Sequence, residues 1–256
     1  MSGTSFDRGT ALVTGGAKRI GRSISLHLAR AGYAVAIHCN RSKDEARTLK
    51  QEIEEHGGRC TICAADLADY NVAGRLVAEA AAHLGPITLL VNNASVFEED
   101  DIATVTAEHW QRQMAINFAT PVFLAKAFAT QAPAGRSSIV NILDQRVLKP
   151  TPLFFSYSLS KAALHSATHM LAQALAPGIR VNGVAPGPTL PSSRQSASEF
   201  ARQSSNLPLG RGPTADDVAE AVLYLANAAG VTGTVIPVDG GQHIAWQTPE
   251  ISGIRE

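Results

Sequence analysis

The sequence predicts a doubly wound α/β fold on a parallel sheet of about seven strands. Two observations carry that expectation. Apolar runs of strand length alternate with amphipathic stretches of helix length along the whole chain, and the first strand runs into a glycine-rich turn that opens a helix. Strands are expected at 10–15 (TALVTG), 34–39 (AVAIHC), 60–66 (CTICAAD), 87–93 (ITLLVNN), 138–143 (SIVNIL), 179–186 (IRVNGVAP) and 234–240 (TVIPVDG). Helical patterns fill the gaps at 22–32, 45–57, 72–85, 109–129, 156–176 and 215–229. Three stop at a glycine (Gly32, Gly57, Gly85) and one at Pro177-Gly178, residues that commonly end helices. No repeat, low-complexity tract or linker interrupts the pattern, so residues 1–256 are expected to form one domain. Only 187–212 breaks the rhythm. It is rich in Pro, Ser and Gly with room for one short helix, and it follows the carboxyl end of a strand, where such sheets bind ligands. A substrate loop is expected there, with an ordinary surface loop as the alternative.

Composition narrows the partners. At 45% hydrophobic residues and zero formal net charge, the chain can bury a substantial core and carries no field that would collect nucleic acid or anionic lipid. No apolar run approaches the ~18 residues a membrane span needs, and the first residues lack the basic and apolar regions of a signal peptide. A soluble, cytoplasmic protein is expected. Cys60 and Cys63 form a nominal CxxC, but within a strand residues three apart point to opposite faces, and no second cysteine pair or histidine cluster completes a metal site. His165 and His169 share a helix face without the acid of a zinc motif, so packing or a subunit contact is the expected role.

Tyr157 and Lys161 stand four residues apart in SYSLSK, and Asp144 lies thirteen residues before the tyrosine. On a helix that spacing puts phenol and ammonium on one face. The ammonium is expected to lower the phenol's pKa and fit it to hand a proton to a reacting atom. Alone the pattern is common, but the chain also carries a dinucleotide site. Gly15, Lys18, Arg19, Ile20 and Gly21 belong to TGGAKRIG at a strand-to-helix junction, where glycines admit a pyrophosphate and the helix N-terminus offers free N–H groups. The next strand is followed by Asn40, Arg41 and Ser42, with no acid for a ribose 2′-hydroxyl. Arg19, Arg41 and Ser42 suit a 2′-phosphate instead, so NADPH is expected over NADH. Asp66-Leu67, Asn93-Ala94 and Pro186-Gly187 occupy further strand ends along the cofactor cleft.

These motifs in this order (TGxxxxxG, NNA, an Asn in the following helix, YxxxK, PG and VDGG) resemble the short-chain dehydrogenase/reductases over nearly the whole chain. The resemblance implies a Rossmann fold with seven parallel strands, a homotetramer, Tyr157 as proton donor, Lys161 on the nicotinamide ribose, and Asn117 holding a water of the proton relay. Three departures point to one branch. Arg19 replaces a loop glycine, Asp144 replaces the usual serine, and NNA continues as NNASVF. With NRS after the second strand, this set is similar to the pteridine reductases and related dihydromonapterin/dihydrofolate reductases. That similarity implies that Arg19, Ser95, Phe97, Asp144 and Tyr157 surround a pterin, with Phe97 stacking it against the nicotinamide.

The chemistry agrees independently. A serine donates to a ketone oxygen becoming an alkoxide, and losing such a donor costs about 3 kcal/mol of transition-state stabilisation. An ionised Asp144 only accepts, which suits the N–H edge of a pterin and the relay of a proton to a C=N nitrogen. Other readings remain: Asp144 could pair with Arg146 or cap its loop, Phe97 could be a core aromatic, and the acidic run EEDD (98–101) suggests a solvated rim. The leading expectation is an NADPH-dependent dihydropterin reductase. The alternative is an NADPH-dependent ketoreductase of 3-oxoacyl thioesters or small carbonyls. Residues 244–256 are expected to shape the far side of the pocket.

Overall fold

The computed structural model describes residues 8–192 and 194–247. Residues 1–7, read above for a leader, and 248–256, most of the segment assigned to the pocket, lie outside the described residues. Seven strands form one parallel sheet: β1 (Thr10–Val13), β2 (Ala34–Cys39), β3 (Cys60–Ala64), β4 (Ile87–Asn92), β5 (Ser137–Ile142), β6 (Ile179–Pro186) and β7 (Val235–Val238). Their order is β3-β2-β1-β4-β5-β6-β7. All seven expected strands are present, several trimmed at the carboxyl end. Thr14-Gly15 and Asn93 leave the ladder because their backbone turns out over the sheet edge to build the site.

The helices are α1 (Arg19–Arg30), α2 (Lys43–Glu55), α3 (Ala73–Leu84), α4 (Ala107–Met114), α5 (Thr120–Ala129), α6 (Phe155–Leu175), α7 (Ala197–Ser205) and α8 (Ala215–Asn227). Strand periodicity divides the core into two layers. Ala11, Val13, Val35, Ile37 and Val91 face one way, onto Ile24 and Leu28 of α1 and Val218, Val222 and Leu225 of α8. Leu12, Ala36 and Leu90 face the other way, onto Leu76 of α3 and Leu124 and Phe128 of α5. Phe128 is wholly buried, so truncating it to alanine costs about 3–5 kcal/mol. The two layers also explain the CxxC. Cys60 sits in the first and Cys63 in the second, each with its thiol pushed up to about 12 by burial.

The expected helix over 109–129 is interrupted. Residues Ala115–Ala119 form a π-helical turn between α4 and α5, and it holds Asn117. Such turns are rare and concentrate at functional positions. Among the described residues no helix is long and apolar enough to cross a membrane. The strand order puts β1 beside β4, so the chain leaves these two strands in opposite directions and opens a crevice above their carboxyl ends.

Candidate active site

A cavity of about 760 Å³ occupies that crevice. At one end the β1 and β4 exits are laced together. Thr14 Oγ1 accepts from the backbone N–H of Asn93 and Ala94 at 2.9 and 3.0 Å, and Asn93 Nδ2 donates to the carbonyls of Thr14 and Gly15 at 2.9 and 3.1 Å. The packing leaves no room for side chains on the turn. A Cβ on Gly21 would stand 2.1 Å from the Gly15 carbonyl oxygen, and Gly15 itself has φ +60°. Helix α1 begins here with no side-chain cap and no acid in its first turn. Its free N–H groups and positive dipole end are therefore left for an anion, which fits a dinucleotide pyrophosphate.

His38, on β2, fixes this turn. Its Nδ1 accepts from Gly15 N at 3.1 Å, so its Nε2 carries the proton and donates to the Ala65 carbonyl at 3.1 Å. Burial lowers its pKa to about 4. Sequence reasoning passed over His38 because a histidine inside an apolar strand carries no local sign of its partners.

The arginines expected at a 2′-phosphate separate. Arg19 has φ +53°, and its guanidinium donates to the carbonyls of Leu190 and Pro191, at 3.4 and 3.1 Å, on the 187–212 segment. It is turned toward the loop. Lys18 pairs with Glu45 across from α2. Asn40 lines the cavity, whereas Arg41 and Ser42 lie just outside its lining, and Arg41 makes no ion pair among the described residues. Asp66, Leu67, Asn93, Ala94, Pro186 and Gly187 all line the cavity.

Tyr157 and Lys161 project from α6, and Asp144 meets them from the end of β5. Tyr157 Oη donates to Asp144 Oδ2 at 2.9 Å. Arg146 grips the same carboxylate through its backbone N–H (2.8 Å to Oδ1) and its guanidinium (3.2 Å to Oδ2). Asp144 therefore caps its loop, pairs with Arg146 and binds the tyrosine at once. The expected lowering of the phenol's pKa is reversed. Burial first, then the charge and hydrogen bond of Asp144, raise Tyr157 well above the usual tyrosine value, while Arg146 and Ser95 oppose the shift. Lys161 does not bond the phenol. Its Nζ donates to the Ile142 carbonyl at 2.8 Å and lies 5.8 Å from the centroid of the Tyr157 ring, and burial brings its own pKa down to about 8.

Asn117 organises the facing segment. Its Oδ1 accepts from Ser95 Oγ (3.0 Å) and Val96 N (2.9 Å), and its Nδ2 donates to Val96 O (3.0 Å) and Ser160 Oγ (3.1 Å). The π turn aims it at both β4's exit and α6. Phe97 follows, half-buried and edge-on to Tyr157 at 4.7 Å. It stacks on Phe154, centroids 4.3 Å apart, rather than packing in the core. Arg146 and Arg194 flank the pair at 5.1–5.4 Å, and Arg194 also donates to the Phe97 carbonyl. Thus 187–212 borders the cavity through Leu190, Arg194 and Phe200, with α7 as its short helix.

The acidic run is not a rim throughout. Glu98 and Glu99 reach Arg112 and Arg194, and Asp101 caps its own turn, but Asp100 is buried at the N-terminus of α6. Phe154 and Arg194 were missed as well, and Arg146 was weighed only as a partner of Asp144. They lie in irregular sequence, where neither periodicity nor motif spacing marks a contact.

A family model described as enoyl-(acyl carrier protein) reductase matches residues 15–243. A crystal structure of FolM alternative dihydrofolate reductase 1 from Brucella suis, in complex with NADP, is similar at 50% identity and a TM-score of 0.91, covering 94% of this chain and 97% of that one. A granaticin polyketide synthase putative ketoacyl reductase 2 from Streptomyces violaceoruber is 32% identical over 91% of this chain and 96% of its own. A short-chain type dehydrogenase/reductase from Picea abies is 32% identical over 91% of each chain.

Proposed function

Since the chain belongs to the short-chain dehydrogenase/reductase family, we propose that it is an NADPH-dependent reductase of a dihydropterin: dihydromonapterin, dihydrobiopterin or dihydrofolate. One observation carries the reading. The residue that bonds the Tyr157 phenol is a carboxylate held by an arginine, not a hydroxyl. Such a group cannot donate to a nascent alkoxide, but it accepts from an N–H edge and relays a proton. The similarity to an NADP-bound alternative dihydrofolate reductase supports the same reading.

The turn from Gly15 to Gly21, Asn40, Asp66, Asn93, Ala94, Lys161 and Pro186-Gly187 would hold the cofactor, with Arg41 and Ser42 nearest to a 2′-phosphate. When bound, NADPH supplies the hydride for a ring carbon of the C=N bond. Tyr157 gives its proton to the ring nitrogen, and the Asp144 carboxylate orients the phenol and the substrate's N–H groups. Phe97 covers the ring, Arg19 and Ser95 border it, and Asn117 holds Ser95 and the Phe97 segment in position. Exposed apolar side chains on α5 and α6 (Phe123, Leu159, Met170) support the homotetramer that the family resemblance implies, which sedimentation velocity tests.

A ketoreductase of 3-oxoacyl thioesters is the second reading, favoured by the 32% identity to a putative ketoacyl reductase. NADPH oxidation measured in parallel with a dihydropterin, dihydrofolate and a 3-oxoacyl thioester separates the two. Turnover of the thioester alone removes the pterin reading and leaves the cofactor assignment standing.

A further inference from the structure

Helix α6 carries both Tyr157 and Lys161, yet nothing local fixes where it starts. Its N-cap residue, Phe154, offers no side-chain cap and sits at φ +56°, a left-handed conformation that costs an aromatic residue about 1–2 kcal/mol. The helix is anchored instead by a residue 56 positions upstream. Asp100 Oδ1 accepts from Ser156 N at 3.0 Å, its Oδ2 accepts from Ser156 Oγ, and its carbonyl accepts from Phe155 N at 3.1 Å. Only 3% of Asp100 is exposed. An ionised carboxylate at a helix N-terminus also meets the positive end of the dipole. Asp100 lies three residues beyond Phe97 in the chain, and Ser156 adjoins Tyr157. One buried side chain therefore ties the aromatic wall of the cavity to the start of the catalytic helix.

We propose that Asp100 is a positioning residue that sets the register of α6 against the Phe97 segment and so couples the substrate's ring to the Tyr157 proton. It does not line the cavity. It acts through Phe97, Phe154 and Tyr157. The inference rests on Tyr157 as proton donor and holds for either substrate class.

The test uses the full chain and whichever substrate, dihydropterin or 3-oxoacyl thioester, the wild type turns over. That first assay judges the substrate reading by itself. Asp100→Ala then lowers kcat by about 10- to 100-fold, the scale of a misplacement near 1 Å. It also raises KM for the reducible substrate, because Phe97 shifts with the helix. KM for NADPH rises less, since only Lys161 among the cofactor residues moves with the helix while the Gly15–Gly21 turn stays held by His38 and Asn93. With Tyr157 drawn off Asp144, the alkaline limb of the pH–rate profile moves to lower pH. Asp100→Asn recovers activity to within about threefold of wild type, because its amide keeps both bonds to Ser156 with one donor role exchanged. Ser156→Ala, which removes one bond and leaves the fold intact, gives an intermediate loss in the same parameters. A purely structural cap behaves differently: it reduces the amount of active enzyme, lowering apparent kcat with both KM values and the pH profile unmoved. That pattern, or wild-type kinetics in Asp100→Ala, overturns the proposal.

Discussion

Tyr157 Oη donates to Asp144 Oδ2 across 2.9 Å, with only 6% of the tyrosine exposed. Burial first, and the carboxylate second, make the phenol a weaker acid than a free tyrosine.

Replacing that carboxylate should therefore sort the two substrate classes. Asp144→Ser is expected to reduce dihydropterin turnover by about 10²- to 10⁴-fold, the usual weight of a positioned acid–base group. It leaves 3-oxoacyl turnover unchanged or raised, because serine restores a donor. Steady-state assays of both substrates on one preparation check it.

Arg146 works against Asp144 on the same phenol. Removing its positive charge in Arg146→Met destabilises the phenolate, so Tyr157 titrates at still higher pH. The alkaline limb of the pH–rate profile should move up, and Arg146→Lys should largely restore it.

His38 gives the fold its own acid sensitivity. Its folded pKa is about 4, against an ordinary 6.5, so between these values the unfolded chain binds the proton and the folded chain does not. Stability is complete above pH 6.5 and falls as pH drops toward 4, by about 3 kcal/mol at 1.36 kcal/mol per unit. Urea melts across that window should show the slope, and His38→Asn should remove most of it.

Two glycines predict opposite outcomes for the same substitution. Gly21→Ala drives a methyl into the Gly15 backbone oxygen and should abolish NADPH binding in a fluorescence titration. Gly74→Ala, inside α3 with nothing within 4 Å of the new methyl, should raise stability by about 0.5–1 kcal/mol.

Arg41 makes no ion pair among the described residues and is the cation we expect to meet a 2′-phosphate. Arg41→Ala should weaken NADPH by about 10- to 100-fold, the worth of one charged hydrogen-bond partner, and leave NADH unaffected.

The sequence announced whatever repeats locally. Strand alternation predicted every strand of the sheet, and the spacing of Tyr157, Lys161 and Asp144 predicted a cluster that the fold brings together. What stayed hidden depends on distant pairing. Asp100 looked like one more acid in a solvated run because its partner, Ser156, is 56 residues away. Arg19 was expected both at the 2′-phosphate and beside the substrate, and only the fold shows it turned toward Leu190 and Pro191. The phenol's pKa was misjudged because the residue spacing shows Lys161 near Tyr157 but neither the burial of the phenol nor its bond to Asp144.

The Phe97–Phe154 spacing sets a limit on molecular thickness. A flat ring sandwiched between two aromatic faces needs about 7 Å between them, twice the van der Waals separation. The two rings stand 4.3 Å apart, so no third ring fits between them. A planar heterocycle must therefore either use the opposite face of Phe97 or part the pair.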